Sequence, residues 1–187
     1  QNYIITFNGE IYNFQDIKIY LIKKNIKFKS KSDTEVILES YKYWGIEFLN
    51  KLRGMFSFAI WDKREEKLIL ARDPFGIKPL YYSINKKVLY FASQVKALLS
   101  IDEVSSIKLG HSICEYYLWG NVEEPNTLYR DIFSIERGSV KIFDKNFNQK
   151  DYKYADIKET IIKSKTENFQ NIDDLNSKLG SLIEKSV

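Results

Sequence analysis

Phe7-Asn8-Gly9-Glu10-Ile11-Tyr12-Asn13 is the stretch on which the reading of this sequence turns. Asn8-Gly9 sits between apolar-rich runs, Tyr3 to Phe7 before it and Ile11-Tyr12 after it. Both residues accept positive φ, so the pair predicts a tight turn between two strands. Such a turn leaves amide donors exposed. The Gly9 N–H and the Asn8 carboxamide can then point at one spot, as stabilisation of the oxyanion formed in acyl transfer requires. Taken alone, the pair reads more plainly as an ordinary hairpin turn.

Working outward, Asn13 reads as an N-cap with Asp16 at the third helical position. Phe14, Ile17, Tyr20 and Leu21 share a face, predicting a helix from Phe14 to about Lys24. Ser32 with Glu35 three residues on reads as a capping box that opens a second helix, closed by Gly45. A short third helix is expected at about Glu47 to Leu52. Met55 to Asp62 and Leu68 to Ala71 flank a charged turn and predict a hairpin. Asp73-Pro74 and Lys78-Pro79 bracket a loop. Strands are expected near Leu80 to Ile84, Val88 to Ala92 and Val140 to Phe143. Ser93 is expected to cap a short helix through Leu99, and helical spacing returns at Ile113, Tyr116 and Tyr117. Hairpins with interspersed helices and no βαβ rhythm predict an α+β fold with antiparallel sheets.

A chain of 187 residues, 44% hydrophobic and 15% aromatic, supports one buried globular domain and a tail. The 29 Lys and Arg against 25 Asp and Glu leave a net charge of +4. The Lys23, Lys24, Lys27, Lys29, Lys31 run reads as a solvated face, so no nucleic-acid partner is expected. One Cys and one His exclude a structural zinc site and a disulfide framework, so no metal is expected and a reducing cytoplasm fits. No apolar run is long enough to cross a bilayer, and no signal peptide is present, so no membrane association is expected. Cys114, mid-helix and without an evident activator, reads as core.

The wider pattern is more specific. Asn8-Gly9-Glu10-Ile11-Tyr12-Asn13, Ser32-Asp33-Thr34-Glu35-Val36, Leu52-Arg53-Gly54-Met55-Phe56-Ser57-Phe58 and Arg72-Asp73-Pro74-Phe75-Gly76-Ile77-Lys78-Pro79-Leu80-Tyr81-Tyr82 follow in this order. Together they closely resemble the glutaminase domain of glutamine-hydrolysing asparagine synthetases, a branch of the class II amidotransferases with an N-terminal nucleophile. The resemblance runs from about Tyr3 to Leu99 and loosens beyond. It implies a four-layer αββα sandwich of antiparallel sheets, of the N-terminal nucleophile hydrolase type and incomplete at the N-terminus, with the site at one end of the facing sheets. The expected organisation is a glutaminase domain over 1–147, a polar linker over 148–170, and over 171–187 the first helix leading into an absent ATP-pyrophosphatase synthetase domain. That last helix rests on Ile172, Leu175, Leu179, Leu182 and Ile183, and Ser186-Val187 stops where the family's phosphate loop would follow.

The resemblance also implies roles. Asn8 and Gly9 form the oxyanion hole, and Glu10 and Asp33 hold the amino group of glutamine through charge-assisted hydrogen bonds. The plainer readings are a helix cap for Asp33 and a surface strand residue for Glu10. The Arg72 to Pro79 loop is assigned a structural part and no chemistry. The family nucleophile is an N-terminal Cys several dozen residues before Asn8, with its own α-amino group as base. The stretch here begins seven residues before Asn8, and the family's upstream Arg for the substrate carboxylate is missing too, so it is expected to be inactive by itself. Gln94 stands where relatives usually have Glu, and Glu136-Arg137-Gly138 replaces a Pro-Gly pair. The implied function is ammonia release from glutamine for ATP-dependent amidation of aspartate. No cofactor is expected in this stretch, whereas ATP and Mg are expected in the synthetase domain. Glutamine and that domain are the expected partners, with a homodimer allowed. The alternatives are an amidotransferase acting on another carboxylate, such as a sugar acid, and a degenerate glutamine-binding or interaction domain. Upstream sequence carrying the nucleophile would distinguish hydrolysis from binding alone.

Overall fold

The computed structural model describes residues 2–164 and 171–184. Tyr3–Ile11 forms one uninterrupted strand, β1, in which Thr6, Asn8 and Glu10 are more exposed than their odd-numbered neighbours. Asn8-Gly9 is therefore not a turn, which corrects the hairpin expected from the pattern. It lies within β1, with Asn8 opposite Ser57 and Gly9 opposite Phe56 of β2 (Gly54–Asp62). Gly9 has φ +143°, and a Cβ there would stand 2.1 Å from the Met55 carbonyl oxygen. A Cβ on Gly54 would stand 2.1 Å from the Glu10 carbonyl oxygen. The glycines serve a close approach of two backbones instead of a chain reversal.

The connection from β1 to β2 holds α1 (Phe14–Lys23), α2 (Asp33–Trp44) and a 3₁₀ helix, Gly45–Lys51. Asn13 precedes α1 without capping it. Its Nδ2 donates to the Lys51 carbonyl and its Oδ1 accepts from the Arg53 N–H, both at 2.9 Å, tying α1 to the start of β2. Ser32 does cap α2, accepting from the Thr34 N–H at 3.1 Å. Glu35 does not complete the box. Its carboxylate turns to the N–H groups of Lys29 and Ser30 and to the Ser30 hydroxyl, organising the turn that precedes the helix.

The chain continues through β3 (Lys67–Arg72), β4 (Tyr81–Asn85), β5 (Val88–Ala92), α3 (Val95–Leu99), α4 (Gly110–Trp119), β6 (Phe133–Ser134), β7 (Ser139–Asp144) and β8 (Gln149–Lys153). All pairings are antiparallel, in a first sheet ordered β1-β2-β3-β7-β8 and a second ordered β5-β4-β6. Three apolar layers fix the architecture. Ile17, Leu21, Val36, Ile37 and Phe48 pack on Phe56, Phe58, Ile60 and Ile69 of the first sheet. Its opposite face, through Ala59, Leu70 and Phe143, meets Tyr82 of the second sheet and Leu80 just before β4. The far side of the second sheet, at Tyr81, Tyr90 and Ala92, packs on Leu98, Val104 and Ile132. This is the four-layer αββα sandwich. Phe48, Phe56 and Phe58 are fully buried and in ring contact, each contributing roughly 1.5–3 kcal/mol by burial.

Three further expectations need correction. Gln149–Lys153 pairs with β7 as β8, although 148–170 reads as linker. All five residues are exposed and all but Tyr152 are polar, so the ladder holds it with almost no apolar signal. Ser93 does not cap α3, whose N-cap is Gln94 without a side-chain bond. Cys114 is exposed on α4, where Ser112 is the buried residue. The first compact unit extends to Ala155, and residues 156–187 form a second. Within that second unit Ile157–Ser164 (α5) and Ile172–Glu184 (α6) are amphipathic helices in which no described residue is buried. Residues 165–170 of the expected linker, and Ser186-Val187, lie outside the described residues.

Candidate active site at the outer edge of the first sheet

β1 is one of the two outermost strands of the first sheet, so among the described residues one of its edges has no neighbouring strand. The even-numbered residues turn their backbone groups towards β2. The Lys63 N–H bonds the Asn2 carbonyl at 2.9 Å, and the Tyr12 N–H bonds the Arg53 carbonyl at 2.7 Å. Odd-numbered residues therefore present theirs outward. Ile11 shows this directly: its N–H donates at 3.2 Å to the Asp33 Oδ2. By the same alternation the Gly9 N–H faces the open edge, two residues along.

Side chains of even-numbered residues project towards the space between the sheets. Thr6 and Asn8 line a cleft of about 120 Å³ with Ser57, Phe58, Ala59, Leu80, Phe91, Ala92 and Ser93. The Asn8 Nδ2 donates to the Ser93 Oγ at 3.3 Å, which leaves its second N–H hydrogen for another acceptor. Ser57 donates its hydroxyl to the Pro79 carbonyl at 3.1 Å. Glu10 is exposed next to this cleft, and no protein partner holds its carboxylate among the described residues. Asp33, the first residue of α2, is half-buried. All four residues singled out from the sequence thus gather at one end of β1. Asn8 and Glu10 lie on its face, while the Gly9 amide and the Asp33 carboxylate lie along its edge. Ser57 and Ser93 escape the sequence reading. The strand alternation that puts Asn8 opposite Ser57 could have flagged Ser57, whereas nothing in the pattern links Ser93 to Asn8, 85 residues away.

Behind β2 lies a second polar assembly. Asp73 is fully buried, and its carboxylate accepts from the N–H groups of Phe56, Phe75, Ile77 and Lys78 at 2.9–3.2 Å. The Arg72 guanidinium binds the carbonyls of Gly76, Lys78 and Ile135 and forms an ion pair with Glu124 at 2.6 Å. The Tyr154 hydroxyl donates to the Arg72 carbonyl at 2.6 Å. Burial, reinforced by the Asp73 charge, pushes that phenol far above its ordinary pKa, so it stays a donor throughout the working pH range. The structural part expected for the Arg72 to Pro79 loop matches this geometry.

A larger cavity of about 280 Å³ lies elsewhere, lined by Tyr81, Val95, Leu128 and Ser134 among others, and includes none of Asn8, Gly9, Glu10 and Asp33. Among the described residues no cluster of His, Cys, Asp and Glu could hold a metal ion, and no helix is long and apolar enough to cross a membrane.

The chain is 42% identical over 139 residues to an asparagine synthetase (glutamine-hydrolysing) 1 of Bacillus subtilis, covering 74% of this chain and 22% of that protein. It is 50% identical over 97 residues to asparagine synthetase (glutamine-hydrolysing) 2 of the same organism, covering 52% of this chain and 13% of that protein. The chain therefore spans about a fifth, or less, of the length of these relatives. Among solved structures, the glutamine phosphoribosylpyrophosphate amidotransferase of Bacillus subtilis superposes with a TM-score of 0.56 at 21% identity, covering 82% of this chain and 29% of that one. That likeness is one of fold. Residues 1–155 match the family model described as a glutamine amidotransferase domain, the same span as the compact αββα unit. The chain belongs to the glutamine amidotransferase domain family.

Proposed function

We propose that this chain is the glutamine-hydrolysing part of an asparagine synthetase and that glutamine binds at the outer corner of β1. The observation that carries the reading is the convergence of the Asn8 carboxamide, the outward Gly9 N–H, and the Glu10 and Asp33 carboxylates at one end of one strand. Spacing supports it. Residues two apart on a strand are about 6.6 Å apart, and five extended bonds of about 1.5 Å set the amino nitrogen of glutamine roughly 6 Å from its carboxamide oxygen. An amide oxygen near the Gly9 N–H then leaves the ammonium group in reach of Asp33, next to Ile11. Glu10, on the cleft face, supplies a second negative charge.

Hydrolysis begins with attack of a nucleophile on the glutamine carboxamide carbon. Charge develops on the carboxamide oxygen, where the Gly9 N–H and the free Asn8 N–H stabilise it; collapse of the adduct, with a proton passed to the leaving nitrogen, expels ammonia and leaves a glutamyl adduct that water hydrolyses to glutamate. The one thiol of the chain, on Cys114, is exposed on α4, and the residues lining the cleft include no Cys. The reading therefore requires a nucleophile supplied from outside residues 1–187. Transfer of the ammonia to aspartate, with the ATP and magnesium that such an amidation consumes, would also take place outside them.

The test is Asn8→Ala and Asn8→Asp in the full-length protein. Asp preserves the size of the side chain and removes its N–H donors. Each substitution should lower kcat for glutamine hydrolysis on the order of 10²- to 10³-fold with little change in KM. Hydrolysis by Asn8→Asp at close to the wild-type rate would show that Asn8 is only a strand residue.

A further inference from the structure

We propose that Asp73 is a positioning residue that holds the oxyanion-binding edge of β1 in place through Phe56. The proposal rests on the reading of Gly9 as an oxyanion donor. The last register pair between β2 and β3 is Ser57 with Arg72, and the next pair would be Phe56 with Asp73. Half of that next pair is ordinary: the Asp73 N–H donates to the Phe56 carbonyl at 2.8 Å. The other half is replaced. The Phe56 N–H donates at 3.2 Å to the Asp73 side-chain Oδ2, where a ladder would use the backbone carbonyl. The released Asp73 carbonyl accepts from the Gly76 and Gly138 N–H groups at 3.0 and 2.9 Å. The side chain thus extends the sheet by one rung while the backbone turns away.

That rung lies directly behind Gly9. Phe56 is opposite Gly9 in the register, and a Cβ on Gly9 would stand 2.7 Å from the Phe56 Cα. Both backbone polar groups of Phe56 are fixed by Asp73, and the Phe56 ring is fully buried against Phe58. Two backbones this close cannot shift independently, so the position of Phe56 sets that of Gly9. No cation among the described residues pairs with Asp73. Four N–H donors alone satisfy its carboxylate, two on each oxygen, and so require acceptors at both oxygens. Arg72 anchors the same loop, through Gly76 and Lys78, but makes no bond to Phe56. The neighbouring residues thereby separate holding the loop from holding the strand.

Asp73→Asn exchanges one acceptor oxygen for an NH₂ group, which confronts two backbone donors in either orientation. In the full-length protein it should reduce kcat for glutamine hydrolysis at least tenfold with KM within about twofold, and move the amide NMR resonances of Asn8 and Gly9. Arg72→Lys should lower the melting temperature while leaving kcat and those two resonances near wild type. Equal kcat losses in the two variants, or wild-type kcat in Asp73→Asn, would overturn the proposal. Should Asp73→Asn fail to fold, hydrogen exchange of the wild-type protein decides: the Phe56 amide should exchange with the slow core and the Gly9 amide far faster. Similar rates would refute the rung. If the wild-type protein itself releases no ammonia, the glutaminase reading fails, whereas the resonance and exchange measurements still test how Asp73 holds Phe56 and Gly9.

Discussion

Replacing Gly9 by Ala tests whether the Asn8-Gly9 pair lies in a strand or a turn. At φ +143° the new Cβ would meet the Met55 carbonyl oxygen at 2.1 Å and the Phe56 Cα at 2.7 Å, and both are backbone atoms with no rotamer to change. Moving the Met55 contact from 2.1 Å to an ordinary 3.4 Å opens β1 from β2 by about 1.3 Å. That shift breaks two or more of the ladder bonds flanking residue 9, at about 1 kcal/mol each, and the φ strain adds about 1–3 kcal/mol. The expected loss is about 3–7 kcal/mol, against the roughly 5–15 kcal/mol that holds a domain together. Urea unfolding followed by fluorescence of Trp44, Trp61 and Trp119 should show a midpoint lowered by about 1.5 M or more, for a slope near 2 kcal/mol/M. Gly45→Ala is the control. Gly45 has φ +59° and ψ −146°, a combination almost confined to glycine, with nothing within 4 Å of its Cβ position, so that variant bears only backbone strain of about 1–3 kcal/mol. Gly9→Asn also separates the readings, because Asn suits a left-handed turn but meets the same carbonyl in a strand. A Gly9→Ala midpoint no lower than that of Gly45→Ala would refute the close approach and restore the turn.

Asp33→Asn keeps an oxygen for the Ile11 N–H and removes the charge, so in the full-length protein KM for glutamine should rise on the order of tenfold to a hundredfold with kcat little changed. A wild-type KM would leave Asp33 as a clamp on β1 alone. Glu35 offers a pH test. Burial works to raise its pKa, but hydrogen bonds from the Ser30 hydroxyl and from the Lys29 and Ser30 N–H groups, with the Lys18 charge, outweigh it and hold the carboxyl below its ordinary 4.5. A carboxyl depressed by folding contributes stability above its unfolded pKa, and loses that contribution as pH falls through the folded value. The stability advantage of wild type over Glu35→Gln should therefore be full near pH 6 and shrink below about 4.5. An advantage that stays constant down to about pH 3 in urea titrations would remove Glu35 from the acid response.

Most elements were legible because burial imposes a period. Phe56, Phe58 and Ile60 alternate in β2, and Ile17 with Leu21 marks the buried side of α1. Several of the failures come from contacts with a distant segment. Gly9 after Asn8 suits a turn by composition, and only its register with Phe56 and the approach of Met55 show it to be strand. β8 is held by main-chain bonds to β7 and the Lys141–Asp151 ion pair, and Tyr152 is its one apolar trace. Ser93 reads as a cap until Asn8 is seen to occupy its hydroxyl. Asp33 stands out in the sequence through its motif, and the structure adds that it meets β1 at Ile11. The loop after Arg72 reads as structural from its Pro and Gly residues, but the reach of Asp73 back to Phe56 depends on the β2–β3 register, which composition does not carry.

The strand order also sets the sequence of events by which the site is assembled. β2 and β3 are joined by a four-residue turn, 63–66, whereas β1 and β2 are separated by the 42 residues 12–53. Closing the longer connection costs roughly 2 kcal/mol more in chain entropy, at about 0.6 kcal/mol per doubling of length. The Asp73 rung connects residues only 17 apart and belongs to the early hairpin. Strand β1 is expected to dock after α1 and α2 have shortened the intervening chain. In a refolding experiment with pulsed hydrogen exchange, amides of β2 and β3 should gain protection before those of β1. Simultaneous protection would show the long closure to be no barrier. Under this order the surface on which Gly9 rests is finished before Gly9 arrives, so the strand bearing the reactive edge docks against a template already in place.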